Sequence, residues 1–459
     1  MSMTLTCLGG AGAVTGSRHL LESDNDKLLI DCGLFQGLKT LRLRNWAPFP
    51  IQPASIDAVI LTHAHLDHCG YLPKLVREGF RRRVIATSST IDLCEIILRD
   101  AAHLQEKDAE YANRSGFSRH HPALPLYTAN DAERALKRLT RVAFHNDLPL
   151  PAGAQLTFRR AGHILGAATA EIRWRGRTIA FSGDLGRYGD PMMVDPEPIP
   201  QADYLVVEST YGDRLHDPVD PTAALGDIIE RTTRRGGTVI IPAFAVGRAQ
   251  LLLYHLWRLR QSGRLGLTPI YLDSPMAIDA SDILRRHPDD YRLSPSDCRQ
   301  ACAVATYVRD VEESKAISAS PVPKVILSAS GMATGGRVLH HIKAFGRDPR
   351  NTILFSGFQA AGTRGAALIA GAGETKIHGQ WIPIRAEIAA LTMLSAHADA
   401  AEIVRWLKGF RQPPRHTFIV HGEPSASEAL RVRIGRELGW DCTVAEPMAP
   451  YDLSEAARA

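Results

Sequence analysis

Asp57-Ala58-Val59-Ile60-Leu61-Thr62-His63-Ala64-His65-Leu66-Asp67-His68 joins an apolar run to four metal-ligating side chains within six residues. The apolar half reads as a buried strand and the polar half as the loop that leaves it. A strand that ends in so dense a set of donors can hold cations against a rigid edge. His63 and His65, two apart on an extended backbone, point the same way, while Asp67 and His68 follow in the turn. That spacing suggests two metals rather than one. The plainer alternative is a solvated polar loop.

Working outward, strand-like runs occupy Leu5 to Leu8, His19 to Glu22, Lys27 to Asp31, Ala58 to Thr62, Val84 to Thr87 and Gln155 to Arg159. Others follow at Thr169 to Trp174, Thr178 to Ser182 and Tyr204 to Glu208. Ligand types recur at their carboxyl ends, as Asp31, His63, Asp184 and Glu208. In layered α/β folds that edge is where sites assemble. A polar helical excursion is expected from Thr90 to Arg141. From about residue 222 the rhythm becomes strict helix–strand alternation, which implies a small parallel sheet flanked by helices. Lys376 to Ile388 then reads as a hairpin, His397 precedes a helix, and His421 ends the strand Thr417 to Val420. The expected division is 1–208, an inserted domain 209–375, and a return segment 376–459.

The chain has 459 residues, 45% hydrophobic and 22% charged, with a net charge of +5. It is long enough for more than one core, and its charge permits an anionic partner without demanding one. Seven cysteines without a CxxC pair point to free thiols and a cytoplasmic setting. No stretch approaches a membrane span, and no membrane partner is expected.

Two cations need donors beyond the opening run. Gly162-His163-Ile164-Leu165-Gly166 and Ser182-Gly183-Asp184 supply an imidazole and a carboxylate, each after a strand, and His421 is a further strand-end imidazole. A bridging carboxylate can give one oxygen to each of two metals about 3.5–4 Å apart.

The ordered set Asp31, His63/His65/Asp67/His68, His163 and Asp184 resembles the metallo-β-lactamase fold family. Glu208-Ser209-Thr210-Tyr211-Gly212, Ser395-Ala396-His397-Ala398-Asp399 and Val420-His421-Gly422-Glu423 resemble its β-CASP subgroup of nucleases. So do Pro242 to Arg248 and Asp273 to Ala277 within the insertion. The resemblance implies an α/β fold, a metallo-β-lactamase αββα sandwich interrupted by a β-CASP domain. It implies one metal on His63, His65 and His163, a second on Asp67, His68 and His421, Asp184 between them, and Asp31 behind the ligands. His397, oriented by Glu208, would act on the scissile phosphate, so His397, Glu208, Asp67 and Asp184 form the expected catalytic set.

The implied activity is hydrolysis of single-stranded RNA, internally or from a 5′ end, by a hydroxide shared between the metals. The products would be 5′-phosphate and 3′-hydroxyl ends. Two zinc ions suit five imidazoles, with manganese as the alternative. A homodimer is compatible with the chain. Arg248, Arg337 and the glycine turn ending in Gly335 and Gly336 are candidate phosphate contacts, because a turn that opens a helix presents backbone N–H groups. Two rival readings are a hydrolase of esters or thioesters on the same fold and a non-catalytic RNA-binding scaffold.

Overall fold

The structure, a computed structural model, describes residues 2–116, 118 and 120–454. They divide into two compact units. The first comprises the chain up to Leu215 and from His397 on, and the second His216–Ala396.

Within the first unit, among the described residues, two seven-stranded sheets stack face to face. Their shared core is built from alternate residues of both, including Leu5, Leu21, Ile30 and Ile60 from one sheet and Phe158, Ile172, Phe181 and Val206 from the other. Inward-facing Val, Ile, Leu and Phe at period two are what seat one sheet on the other. The outer face of the second sheet presents Leu205, Val207 and Ile419 to helices Ala400–Leu407 and Pro424–Leu438, which answer with Ile403, Trp406, Leu430 and Ile434. This is the expected αββα sandwich.

Strand direction positions the site. Asp26–Ile30, Ala58–Ile60 and Arg83–Thr87 run parallel to one another, as do Arg177–Phe181, Tyr204–Glu208 and His416–Val420 in the other sheet. Gln155–Arg160 and Arg177–Phe181 both run antiparallel to Ala168–Trp174, so they share a direction. The donors anticipated from sequence therefore emerge at carboxyl ends of co-directional strands.

The expected helical excursion resolves differently. Helix Ser88–Ser115 stops where Gly116 turns left-handed (φ 65°). A shorter helix, Ala129–Leu136, follows with its own Thr128–Asp131 capping box, and the segment finishes as the strand Leu139–Val142. The short strands Leu139–Val142 and Pro450–Asp452 escaped the sequence reading because each is an edge strand with a weak apolar pattern.

In the second unit a six-stranded sheet is parallel throughout, with Val239–Pro242 between Val325–Ser328 and Thr352–Phe355. Helix Val338–Phe345 packs Val338, Leu339 and Ile342 on Ile240, Ile353 and Phe355. The return to the first unit comes at His397, later than the anticipated residue 376. Glu374–Ile377 and Gln380–Pro383 form the hairpin, but Glu387–Ala390 adds in parallel to Thr352–Phe355 at the edge of the second unit's sheet. That pairing keeps the chain there.

Candidate metal centre

His63 follows its strand by way of Thr62, whose backbone N–H donates to Asp31 Oδ1 at 2.8 Å and whose hydroxyl lies 2.9 Å from Asp31 Oδ2. The same hydroxyl lies 3.1 Å from His63 Nδ1. Asp31 Oδ2 also meets His68 Nδ1 at 2.7 Å. Asp31 thus ties two adjacent strand ends together and fixes the ring of His68, leaving its Nε2 directed elsewhere. Asp31 and His421 both adopt left-handed backbone (φ 61° and 49°), a conformation that carries a cost for non-glycine residues. Gly33 admits the ligand loop: a Cβ on it would lie 1.6 Å from Asp67 O.

The donor atoms converge in two groups. His63 Nε2 and His163 Nε2 lie 3.1 and 3.2 Å from His65 Nδ1, and 3.4 and 3.6 Å from Asp184 Oδ2. His68 Nε2 lies 3.2 Å from both His421 Nε2 and Asp184 Oδ1, and His421 Nε2 is 3.4 Å from Asp67 Oδ2. His63, His65, His163 and Asp184 can therefore hold one ion and Asp67, His68 and His421 a second, with Asp184 presenting one oxygen to each group. His421 is fixed from behind by Thr210, whose hydroxyl lies 3.1 Å from its Nδ1.

This donor set fits metal ions. Imidazole nitrogens aimed at one another repel unless protons or cations lie between them. Asp184 Oδ1 is buried and receives no hydrogen bond of good geometry, an arrangement that costs free energy in an uncharged pocket. Burial holds His63 well below the usual imidazole range and brings His65 down to about 4, favouring the neutral forms that ligate. Burial would depress His68 as well, but the charges of Asp184 and Asp31 more than offset it and raise its pKa. Asp184 is held well below the carboxylate range, because the imidazoles of His421, His68 and His63 outweigh its burial. The pocket demands positive charge. Five imidazoles and two carboxylates suit zinc, or manganese, better than magnesium or calcium.

His397 stands beside this cluster. An isolated bridge to Gly186 and the bond from Ala398 N to Leu185 O at 2.8 Å hold its backbone, and its ring centroid is 4.5 Å from that of His163. Its Nδ1 lies 3.2 Å from both oxygens of Glu208 and 4.0 Å from Asp184 Oδ2. Glu208 is fully buried and accepts from Leu185 N and Thr210 N. Burial disfavours a charged His397, but Glu208 outweighs that and raises its pKa, with Asp184 and Asp67 adding to the effect.

The candidate phosphate contacts fare otherwise. The Arg337 guanidinium donates to Asp273 Oδ1 at 2.6 Å and to the carbonyls of Val308 and Arg309, forming an internal clamp. Arg248 is buried at the start of helix Arg248–Gln261. Gly335 and Gly336 form a tight turn in which Gly335 N–H and Gly335 O both bond to Ser330, and Gly336 is left-handed (φ 77°). Thr62, Thr210 and the Leu185 amide were not anticipated. A hydroxyl directly before the first histidine was the available signal for Thr62.

Known proteins align with this arrangement. Residues 12–89 match the metallo-β-lactamase superfamily, 249–368 the Beta-Casp domain, and 381–445 a Zn-dependent metallo-hydrolase RNA specificity domain. The chain is 40% identical to ribonuclease TTHA0252 of Thermus thermophilus, across 93% of this chain and 95% of that protein. It is 30% identical to the transcription termination factor FttA of Methanosarcina mazei, across 95% of this chain and 69% of that protein. A Methanocaldococcus jannaschii RNase J-like protein is 29% identical over 94% of this chain and 95% of its own length. A solved protein of unknown function from Enterococcus faecalis V583 superposes with a TM-score of 0.54 at 12% identity, over 99% of this chain and 100% of that one, which speaks to the fold alone. Among the described residues, no helix is long and apolar enough to cross a membrane. With its sandwich, its inserted domain and its imidazole-rich cluster, the chain belongs to the β-CASP family of metallo-β-lactamase-fold RNA nucleases.

Proposed function

We propose that the chain is a dinuclear ribonuclease that hydrolyses single-stranded RNA to 5′-phosphate and 3′-hydroxyl ends. The observation that carries the reading is the sharing of Asp184 between two donor groups, with His397 poised beside them. One cation would be held by His63, His65 and His163, and the other by Asp67, His68 and His421. Bound there, a metal pair supplies an activated water and neutralises charge on the phosphate.

The chain's own residues do the rest. Asp184 sets the spacing of the two groups by offering Oδ2 to one and Oδ1 to the other. Asp31 fixes the ring of His68 and Thr210 that of His421, so that their Nε2 atoms stay directed inward. Glu208 accepts from His397 Nδ1, which leaves Nε2 to carry the second proton. His397 can then deliver that proton to the leaving 3′ oxygen, the poorest leaving group in the reaction. A Glu–His pair of this kind has no evident task in the hydrolysis of small activated esters, which supports a phosphodiester over that rival. The ribonuclease name of the Thermus relative and the RNA-specificity match over residues 381–445 support RNA as the substrate.

The test is cleavage of one end-labelled single-stranded RNA, carrying a 5′-phosphate, 5′-triphosphate or 5′-hydroxyl, alongside metal analysis. Two zinc or manganese ions per chain and metal-dependent products with 5′-phosphates are expected, and the ladder separates internal cutting from 5′ trimming. Turnover of thioesters or lactones with intact RNA would end the reading.

A further inference from the structure

Between Asp31 and Asp57 the chain carries no carboxylate side chain, but it does carry Lys39, Arg42 and Arg44. The same segment displays three large apolar side chains to solvent: Leu38 at 46%, Leu43 at 56% and Trp46 at 54% exposure. Isolated exposed apolar groups are ordinary, but a group of three beside cations is not. Helix Lys39–Arg44 continues through the bonds from Asn45 N to Arg42 O and from Trp46 N to Leu43 O. Helical spacing therefore puts Lys39 beside Leu43, Arg42 beside Trp46, and Leu43 beside Trp46. Arg44 turns inward, to Leu8 O and the Phe35 ring.

The segment is braced from beneath at unusual expense. Asn45 is buried, accepts from Phe35 N at 2.9 Å and Arg18 Nη2 at 3.3 Å, and donates to Phe35 O at 2.8 Å. The buried ammonium of Lys74 donates to the carbonyls of Asn45 and Ala47. Arg18, buried over the Tyr71 ring, donates to Gly33 O. Two buried cations thus hold the backbone on which the exposed Trp46 stands, although burying charge is costly. The brace reaches the metal centre directly: Cys32 N donates to His68 O, Leu34 N to Leu66 O, and Ser17 N to Asp67 O. The exposed face is therefore held rigidly with respect to the ligand loop.

We infer that Lys39, Arg42, Leu43 and Trp46 form a platform for single-stranded RNA, with a base stacked on Trp46 and phosphates on Lys39 and Arg42. Aromatic stacking beside cations is how single strands are held without reading their sequence. A second copy of the chain fits less well, because a two-fold contact would set these cations against themselves with no carboxylate in the segment to neutralise them. The inference rests on the ribonuclease reading and extends it to a strand longer than the one being cut.

The experiment uses metal-loaded protein and single-stranded RNAs of about 5 and about 20 nucleotides, with a phosphorothioate-linked strand as the uncut binding probe. Trp46→Ala should raise Kd for the longer strand about tenfold, whereas Trp46→Phe stays near wild type. Lys39→Gln with Arg42→Gln should flatten the salt dependence of log Kd by about 0.7 per cation removed. Turnover of the shortest strand at saturation should not change. If wild type cuts RNA and all three variants match it in Kd, the platform is overturned and the ribonuclease reading stands. Unchanged Kd together with loss of a dimer in sedimentation overturns it equally, since the surface then joins copies of the chain. A wild type that binds the strand but cuts nothing defeats the ribonuclease reading alone, and the Kd comparison still decides the platform.

Discussion

Aspartate and histidine meet at the carboxyl ends of parallel strands in both units, and the two meetings are built in opposite ways. In the second unit Asp273 and His341 are fully buried and fully answered. Asp273 receives Arg337 Nη1 at 2.6 Å, His341 Nε2 at 2.7 Å and the Ser314 hydroxyl, while the other ring nitrogen of His341 meets Ser318 Oγ at 3.0 Å. In the first unit the imidazoles of His63, His65 and His163 face one another, and Asp184 Oδ1 is left short of donors. The positive charge pressing on Asp184 comes from imidazoles, that on Asp273 from a guanidinium as well. Residue type does not separate a structural pin from an ion site. The partners do: one cluster is complete by itself, and the other turns its donor atoms on one another, as a set that could hold metal does.

Removing the shared carboxylate breaks that contrast most sharply. Asp184→Ala should lose bound metal and reduce RNA cleavage by about a thousandfold or more, since metals supply several kcal/mol of charge stabilisation. Circular dichroism should still report a folded chain. Undiminished cleavage with metal retained would refute the bridging assignment. His397→Ala should keep both metals yet lose about 10²–10⁴ in kcat, the usual reach of a proton-transferring side chain. Metal loss in that variant would move His397 from proton transfer into the ligand set.

Asp273→Ala tests the other side of the comparison. It leaves Arg337 and His341 without their carboxylate, and breaking a buried pair of this kind costs about 3–5 kcal/mol. Urea unfolding should show the loss while metal content per chain stays at the wild-type value. A stable Asp273→Ala protein that has shed its metals would reverse the roles given to the two clusters. Asp31→Ala should be milder: metal affinity falls about 10–100-fold, as when a ligating histidine loses the group that orients it. Competition with a chromophoric chelator reads that change, and an unaltered affinity would leave Asp31 as a strand-end brace alone.

The donor cluster was legible because each donor follows an apolar run, where strand direction carries it to a common edge. His63, His163, Asp184 and His421 needed no more than that pattern and their short motifs. The pairing of Glu208 with His397 was legible only by family likeness, because the two lie 189 positions apart. Contacts that depend on distant strands left no local trace: Thr210 holds His421 across 211 positions. Arg337 shows the same limit. A basic residue after a glycine turn suggests a phosphate, and only the fold brings Asp273 to it across 64 positions. The expected hairpin takes in Glu387 and Ile388, because a short alternating run does not declare which neighbour it pairs with.

Glu208 allows the finest test of how an incomplete cluster is finished. Burial alone would favour neutral His397, and the nearby carboxylates reverse that preference, Glu208 first. Asp184 and Asp67 are proposed metal ligands, so Glu208 is the neighbouring carboxylate outside that set. A raised pKa means that the protonated imidazole persists to higher pH. Activity that needs it is full below that pKa and lost as pH rises through it. Glu208→Gln keeps the shape but removes the charge, so the pKa of His397 falls and the alkaline limb of kcat/KM moves to lower pH. An alkaline limb that stays in place, or moves up, would mean that Glu208 only braces the Leu185 and Thr210 amides and that His397 draws its proton from elsewhere.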